Sequence, residues 1–477
     1  MRASGVHFLA GLAALTVACD DAATPATPTS DSSASSAAAT GGAGGGGPSA
    51  EVRFFTNPSP EVEGSQEVES TSVRWGDPVR VVVENLAPGR RVKLDFSSLG
   101  SFGEFTADMK GTIDTGRDAP SNGSWASADL DGPFWSAAPV AKPVFDVTLD
   151  VTDATSGEPL ATGALHRRPV NDGVDVTEVH DGTRVGFLTR PQDGGSAKRP
   201  AILVFGGSEG GTSTGRFFAY YLAQLGYVAF GVGYFGADGL PAELDSVPLE
   251  ILKSDLDLLA SQPDVDATKI AVMGGSRGGE LALLLGAHYP ELVRAVVAQI
   301  PSGYVWGSVA NVDAPAWTLG GAPLPQVPYS GALPVEYTEN GKTYYNGRNV
   351  FLEDIAAATP AELEAARIPI ESAMGPVLLL GGEDDQLWPS CVLADVAYDK
   401  LVASGHAAKF ADENHCYPGA GHFISFPPGS STLGSDSYYS ADFHLYFVVG
   451  GTPEANAKAE RAGNTVTRAF LTKAFSR

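Results

Sequence analysis

The residues best suited to chemistry are Gly274-Gly275-Ser276-Arg277-Gly278, a G-x-S-x-G placed between the apolar run 270–274 (IAVMG) and the helix-like ELALLLGAHYP. A tight strand-to-helix turn of this kind exposes the serine oxygen, and its small neighbours spare the strained backbone from clashes. The amides that open the helix then face the developing negative charge. In a chain with 57 glycines the motif alone is weak, and a second copy occurs at Gly206-Gly207-Ser208-Glu209-Gly210. Chain order separates the two. The nucleophile of such a site follows a central strand, an earlier glycine loop gives an N–H to the oxyanion hole, and the acid and base come later. Ser276 is therefore the expected nucleophile, with the amides of Gly207 or Ser208 acting alongside that of Arg277.

The acid is expected in the turn after a later strand, and VLLLGG (377–382) runs straight into Glu383-Asp384-Asp385. Asp385 is favoured over Asp384 because the carboxylate must sit a few positions past the strand end to hold one imidazole tautomer. Of the eight histidines, His422 in Tyr417-Pro418-Gly419-Ala420-Gly421-His422-Phe423 has the small residues that let a loop carry a ring towards the serine. His415 reads as structural within a strand, His288 as a helix-end cation, and His444 has no assigned role. A metal-dependent alternative would need clustered ligands, and no H-x-x-x-H or H-E-x-x-H is present. No metal or other cofactor is expected.

The elements that must position these residues alternate between apolar strands and amphipathic helices after residue 173. AILVF (201–205), VAFGVGYF (228–235), IAVMG, AVVAQIP (295–301), VLLLGG and 407–418 read as strands. RFFAYYLAQLG and 249–262 read as helices, the latter with Leu249, Leu252, Leu256 and Leu259 at helical spacing. This is the pattern of a mostly parallel, doubly wound α/β sheet covered on both faces. The Pro- and Tyr-rich stretch 302–370 interrupts it as an inserted lid that would shape a pocket. Residues 51–172 differ: short alternating runs such as VRVVVENL and RVKLDF, broken by Gly76-Asp77-Pro78 and Ala87-Pro88-Gly89, predict an all-β, immunoglobulin-like sandwich. Trp75, Trp125, Phe134 and Trp135 are expected in its core.

Residues 1–19 read as an export signal whose apolar run, Phe8 to Ala18, is too short for a permanent membrane span. Ala18 directly before Cys19 is the pattern of a bacterial lipoprotein signal, in which the cysteine is lipidated; an ordinary signal peptide is the alternative. Residues 20–50 carry no apolar side chain larger than alanine or proline and read as a flexible tether. The expected location is the cell envelope, periplasmic or surface, with the membrane as a partner through the lipid. The remaining cysteines, Cys391 and Cys416, lie beside the acid and base loops, either as a disulfide or as two buried thiols. Against 31 Lys and Arg stand 56 Asp and Glu, and a net charge of −25 argues against nucleic acid as a partner.

The chain resembles the bile acid-CoA:amino acid N-acyltransferase and acyl-CoA thioesterase family, including its bacterial members. The resemblance rests on GDPVRVVVENLAPGRRVKL and GPFWS in the first domain, and on YFGADGLPAEL, GGSRGGELAL, GGEDDQLWPS and YPGAGHF in the second. It implies an α/β-hydrolase fold, with Ser276 as acyl acceptor, Asp385 as acid and His422 as base. It further implies a small acyl-thioester substrate and a link to acyl-CoA and fatty acid metabolism. Similar enzymes carry serine or cysteine at the elbow. An acyl-serine oxyester reacts less readily with amines than a thioester does, which points to hydrolysis. CoA is anionic and gains no long-range attraction from this chain, although a patch around Arg216, Arg277 or Arg348 would compensate. An envelope carboxylesterase or dienelactone-hydrolase-like enzyme on non-CoA esters is the alternative, and a non-catalytic binding lipoprotein is a third reading.

Overall fold

A computed structural model describes residues 49–476 apart from 138–143, 196, 309–310, 312, 425–436 and 441–444. The signal, nearly all of the tether, Cys19 and His444 lie outside the described residues. The described chain forms two compact units, 49–60 with 64–169, and 61–63 with 170–476, so the division falls at 169/170 against the expected 172/173.

The first unit is built from two sheets. Val68–Glu69, Glu51–Thr56, Val79–Glu84 and Ile113–Asp114 form one, in that spatial order. Ser72–Arg74, Pro159–Arg168, Asp146–Asp153, Arg91–Phe96, Ser101–Thr106 and Asn122–Gly123 form the other. Arg91–Phe96 buries Val92, Leu94 and Phe96 and turns the residues between them outward, the period-2 alternation its sequence dictates. The sheets meet closely where Gly163 faces Val52 and Phe54, since a Cβ there would lie 2.6 Å from Val52. Trp75, Trp125, Phe134 and Trp135 are all buried. One short helix, Gly132–Trp135, which the strand pattern does not anticipate, carries the last two.

The second unit contains an eight-stranded sheet. Its strands are β1 (Val174–Asp181), β2 (Arg184–Pro191), β3 (Arg199–Phe205), β4 (Val228–Val232), β5 (Val265–Gly275), β6 (Ala295–Gln299), β7 (Val377–Gly382) and β8 (Glu413–Tyr417). They lie in the order β1-β2-β4-β3-β5-β6-β7-β8, with β2 antiparallel to both neighbours and every later pair parallel. β4, β6 and β7 are continuous buried runs because helices cover both faces. Helices α1 (Ser213–Gln224) and α5 (Pro453–Phe475) pack Tyr221, Leu222, Phe470 and Leu471 against Ile202, Val204, Met273 and Leu380 on one face. On the other, α2 (Leu249–Ala260), α3 (Arg277–His288) and α4 (Ser390–Ala403) cover Leu203, Val272 and Val296. The four leucines spaced along α2 are fully buried there.

The sheet differs from the sequence expectation in several places. Strands β1 and β2 precede the expected first strand; β1 is an edge strand, largely exposed, whose polar residues hide its period. The strand expected over 228–235 ends at Val232. Of the strand expected over 407–418, only Glu413–Tyr417 is extended, while His406–Phe410 is helical between Gly405 and Ala411, both left-handed. His406 holds that turn, its Nδ1 2.6 Å from Asp412 Oδ2 and its Nε2 2.9 Å from the Ala373 carbonyl. The segment between β6 and β7 holds short strands and the helices Arg348–Ala357 and Pro360–Ala366. No helix among the described residues is long and apolar enough to cross a membrane.

Asp255 on α2 is fully buried, and neither carboxyl oxygen has a hydrogen-bond partner among the described residues. Burial pushes its pKa up to about 8, despite the opposing pull of Arg184. Between about pH 4 and 8 the unfolded carboxyl is ionised while the folded one keeps its proton, so this group lowers stability by roughly 1.4 kcal/mol per pH unit as pH rises. Asp255→Asn is predicted to flatten the fall of unfolding free energy over that range. Urea titrations at stepped pH check this, and parallel wild-type and variant curves would refute it.

Candidate active site

The sheet topology brings the loops after β3 and β5 side by side, because β3 and β5 are neighbours at the point where strand order reverses. The β5–α3 turn places Ser276 at φ 58° and ψ −124°, a left-handed conformation that a side-chain-bearing residue adopts only under strain. The glycines around it are steric necessities. A Cβ on Gly274 would lie 2.5 Å from the Gly278 carbonyl oxygen, and one on Gly278 would lie 2.2 Å from that of Gly206. Gly207 also approaches the elbow, less closely, with its would-be Cβ 3.1 Å from the Ser276 Cβ.

The His422 imidazole reaches this serine, with Nε2 3.1 Å from Ser276 Oγ. Its Nδ1 lies 2.8 Å from Asp385 Oδ2. Asp385 is fully buried, and its Oδ1 accepts the amides of Leu387 and Trp388, so both carboxylate oxygens are committed and the group cannot rotate freely. Asp384 turns elsewhere and accepts the Gly451 amide. The histidine loop is fixed by residues that no spacing rule singles out. The His422 amide donates to Val449 O, and the Gly421 amide donates to Asn456 Oδ1 on the first turn of α5. That turn is recognisable in sequence from Thr452, whose side chain caps it, and Pro453. Its contact with the base loop is not.

The two glycine motifs play different parts. The Gly207 amide donates to Glu209 Oε2 at 2.9 Å, which corrects the expectation that it serves as an oxyanion donor. The Ser208 and Arg277 amides donate to no described residue, and both residues line the pocket at Ser276. The Arg277 side chain is buried, pairs with Glu280 at 3.3 Å and donates to the Trp306 carbonyl. Glu280, fully buried, also accepts the Trp317 indole N–H at 2.7 Å and the Trp306 amide at 3.2 Å. Burial raises its pKa to about 7, against the pull of Arg277 and these hydrogen bonds. Arg348 donates to the Asp385 carbonyl, and Arg216 lies over the Phe187 ring. Arg277 and Arg348 are therefore already engaged in local contacts.

The pocket beside Ser276 and His422 is walled mainly by Trp306, Val327, Val350, Phe351, Leu387 and Trp388. Trp306, Phe351, Trp388 and His422 form a chain of edge-to-face contacts with centroids 4.8, 5.6 and 6.2 Å apart. Most of this wall comes from the segment between β6 and β7. Cys391 on α4 and Cys416 on β8 are joined by a disulfide, their Cα atoms 5.5 Å apart. His415 pairs with Glu413, and His288 closes α3; both stand apart from the pocket lining.

Eight strands in this order, with the serine elbow after β5, the carboxylate after β7 and the imidazole after β8, define an α/β-hydrolase fold. The acyl-CoA thioester hydrolase/BAAT N-terminal region matches residues 76–181, and the BAAT/acyl-CoA thioester hydrolase C-terminal region matches residues 247–477. The chain belongs to this family. It is 28% identical over 413 residues to human acyl-coenzyme A thioesterase 6, covering 81% of this chain and 90% of that protein. It is also 28% identical over 411 residues to human acyl-coenzyme A thioesterase 1, with the same coverage. Among solved structures, a truncated carbohydrate esterase from gut microbiota aligns over 65% of this chain and 99% of its own, at 12% identity and a TM-score of 0.38.

The disulfide closes a loop with a sequence separation of 25 residues that contains α4 and the turn before β8. Loop-closure entropy assigns a cross-link of that length about 3.5 kcal/mol. The double variant Cys391→Ser, Cys416→Ser is predicted to unfold in urea with a stability lower by about that amount. Superimposable unfolding curves for variant and unreduced wild type would show that the bond contributes nothing.

Proposed function

We propose that this chain is a serine hydrolase that cleaves acyl thioesters through an acyl-serine intermediate. The observation that carries the reading is the continuous hydrogen-bonded line from Asp385 through His422 to Ser276, ending in an apolar pocket. His422 Nε2 takes the Ser276 proton as the oxygen attacks the acyl carbon, and Asp385 stabilises the imidazolium at Nδ1. The amides of Ser208 and Arg277 receive the oxyanion. The tetrahedral intermediate collapses with loss of the thiol, which takes its proton from His422, and a water activated by the same nitrogen releases the acid. The family relatives named acyl-coenzyme A thioesterases support the thioester, and with it a place in acyl-CoA and fatty acid metabolism.

Hydrolysis of a non-CoA ester in the envelope is the second reading, and a specific observation favours it. Arg277 is buried and paired with Glu280, so it is not a free cation for CoA phosphates in a chain of net charge −25. Lipidation at Cys19 would place the enzyme in the cell envelope, where the Cys391–Cys416 bond would persist. The N-terminal unit, read as an immunoglobulin-like sandwich, takes no part in the chemistry of this scheme.

A fluorophosphonate probe is expected to label the wild type and not Ser276→Ala; undiminished labelling of the variant would refute the nucleophile. Asp385→Asn is predicted to lower kcat by about 10⁴-fold through loss of the correct imidazole tautomer. Matched acyl-CoA and p-nitrophenyl ester series decide the leaving group: acyl-CoA turnover no better than that of simple esters would favour the second reading.

A further inference from the structure

The oxyanion loop poses an orientation problem. Its Gly206, Gly207, Gly210 and Gly211 have little conformational preference of their own, so the direction of the Ser208 N–H must be imposed from outside the loop. A peptide group is planar, and in its trans form the C=O and N–H point in opposite directions. Whatever holds the Gly207 carbonyl therefore also aims the Ser208 N–H.

The group that holds it is a phenol. Tyr234, just past β4 and almost completely buried, donates its O–H to the Gly207 carbonyl at 2.7 Å, with the Gly206 carbonyl at 3.1 Å. Glu209 secures the preceding peptide from its other end by accepting the Gly207 amide. The Tyr234 ring is itself confined. It packs on Trp317 with centroids 5.6 Å apart and on Phe205 at 6.0 Å, and the Trp317 indole is pinned by its bond to Glu280. Burial, reinforced by Glu209, pushes the phenol's pKa well above its ordinary value, although Arg277 opposes this, so the group stays a donor across the working pH range.

We propose that Tyr234 is a positioning residue for the oxyanion hole: its O–H fixes the plane of the 207–208 peptide and so directs the Ser208 amide at the oxygen that becomes charged when Ser276 attacks. The proposal rests on the serine-hydrolase reading above. Tyr234 touches no substrate atom and acts only through the backbone. Its hydroxyl therefore matters to the transition state, where the oxyanion exists, and much less to the ground state.

The test compares Tyr234→Phe with wild type using a p-nitrophenyl ester and an aryl trifluoromethyl ketone, which forms a charged hemiketal on the serine. Phenylalanine keeps the ring against Trp317 and removes only the donor. The expected result is a fall in kcat of roughly 10- to 100-fold with KM within about twofold, and weaker ketone binding by the same factor as kcat/KM. A purely structural role would lower the thermal midpoint and leave ketone affinity of the folded fraction unchanged, which would overturn the proposal. So would an effect confined to KM. Trp317→Phe, which retains the hydroxyl but frees the ring, is predicted to shift both constants in the same ratio by a smaller factor. If Tyr234→Phe does not fold, an unchanged ketone affinity in Trp317→Phe overturns the proposal. A wild-type hemiketal that is absent in Ser276→Ala secures the underlying reading. Without it that reading fails, whereas a normal wild-type adduct with undiminished affinity in Tyr234→Phe removes only the role given to the tyrosine.

Discussion

The candidate site depends on one steric constraint, the near-contact of two backbone loops at the carboxyl edge of the sheet. Where β3 and β5 run side by side, the loop after the first and the elbow after the second approach so closely that Gly278 has no room for a methyl group against the Gly206 carbonyl and Gly207 has little against the Gly275 carbonyl. This closeness places an amide donor of one loop beside the hydroxyl of the other. Ser276 itself holds a left-handed backbone conformation at this approach. The strain there, of order 1–3 kcal/mol, is offset by the packing of β5 and α3 in the buried sheet core.

Around that contact the insertion between β6 and β7 has two roles. It supplies most of the pocket wall, through Trp306, Val327, Val350 and Phe351, and it is keyed to the elbow helix by the buried Glu280, which binds Trp306 and Trp317 at once. A charged pair in such a place is a poor source of stability, because the desolvation of both ions opposes their attraction. Its effect is geometric: the first turn of α3, which carries the Arg277 amide, and the pocket wall are held in one register.

Much of this was legible in the sequence, for physical reasons. Strands buried on both faces show as unbroken apolar runs, and Ser276 and Asp385 each follow such a run, while His422 follows the short polar strand β8, in the order this sheet requires. What escaped was set by three-dimensional partners. β1 is an exposed edge whose polar residues mask its alternation. The 407–411 segment is apolar enough for a strand, yet left-handed residues at Gly405 and Ala411 bound a turn of helix. The Gly207 amide is consumed because Glu209 folds back on it, and the Asn456 contact joins residues 35 apart. Neither has a signature in spacing.

The reliance of His422 on Val449 and Asn456 has a further consequence for the life of the polypeptide. Ribosomes deliver a chain amino end first, and folding follows that order. The elbow and the acid turn emerge before residues 449–456, and until those arrive the backbone amides of Gly421 and His422 lack the partners that fix their loop. The ordering of the histidine loop therefore depends on a segment delivered after both the elbow and the acid turn.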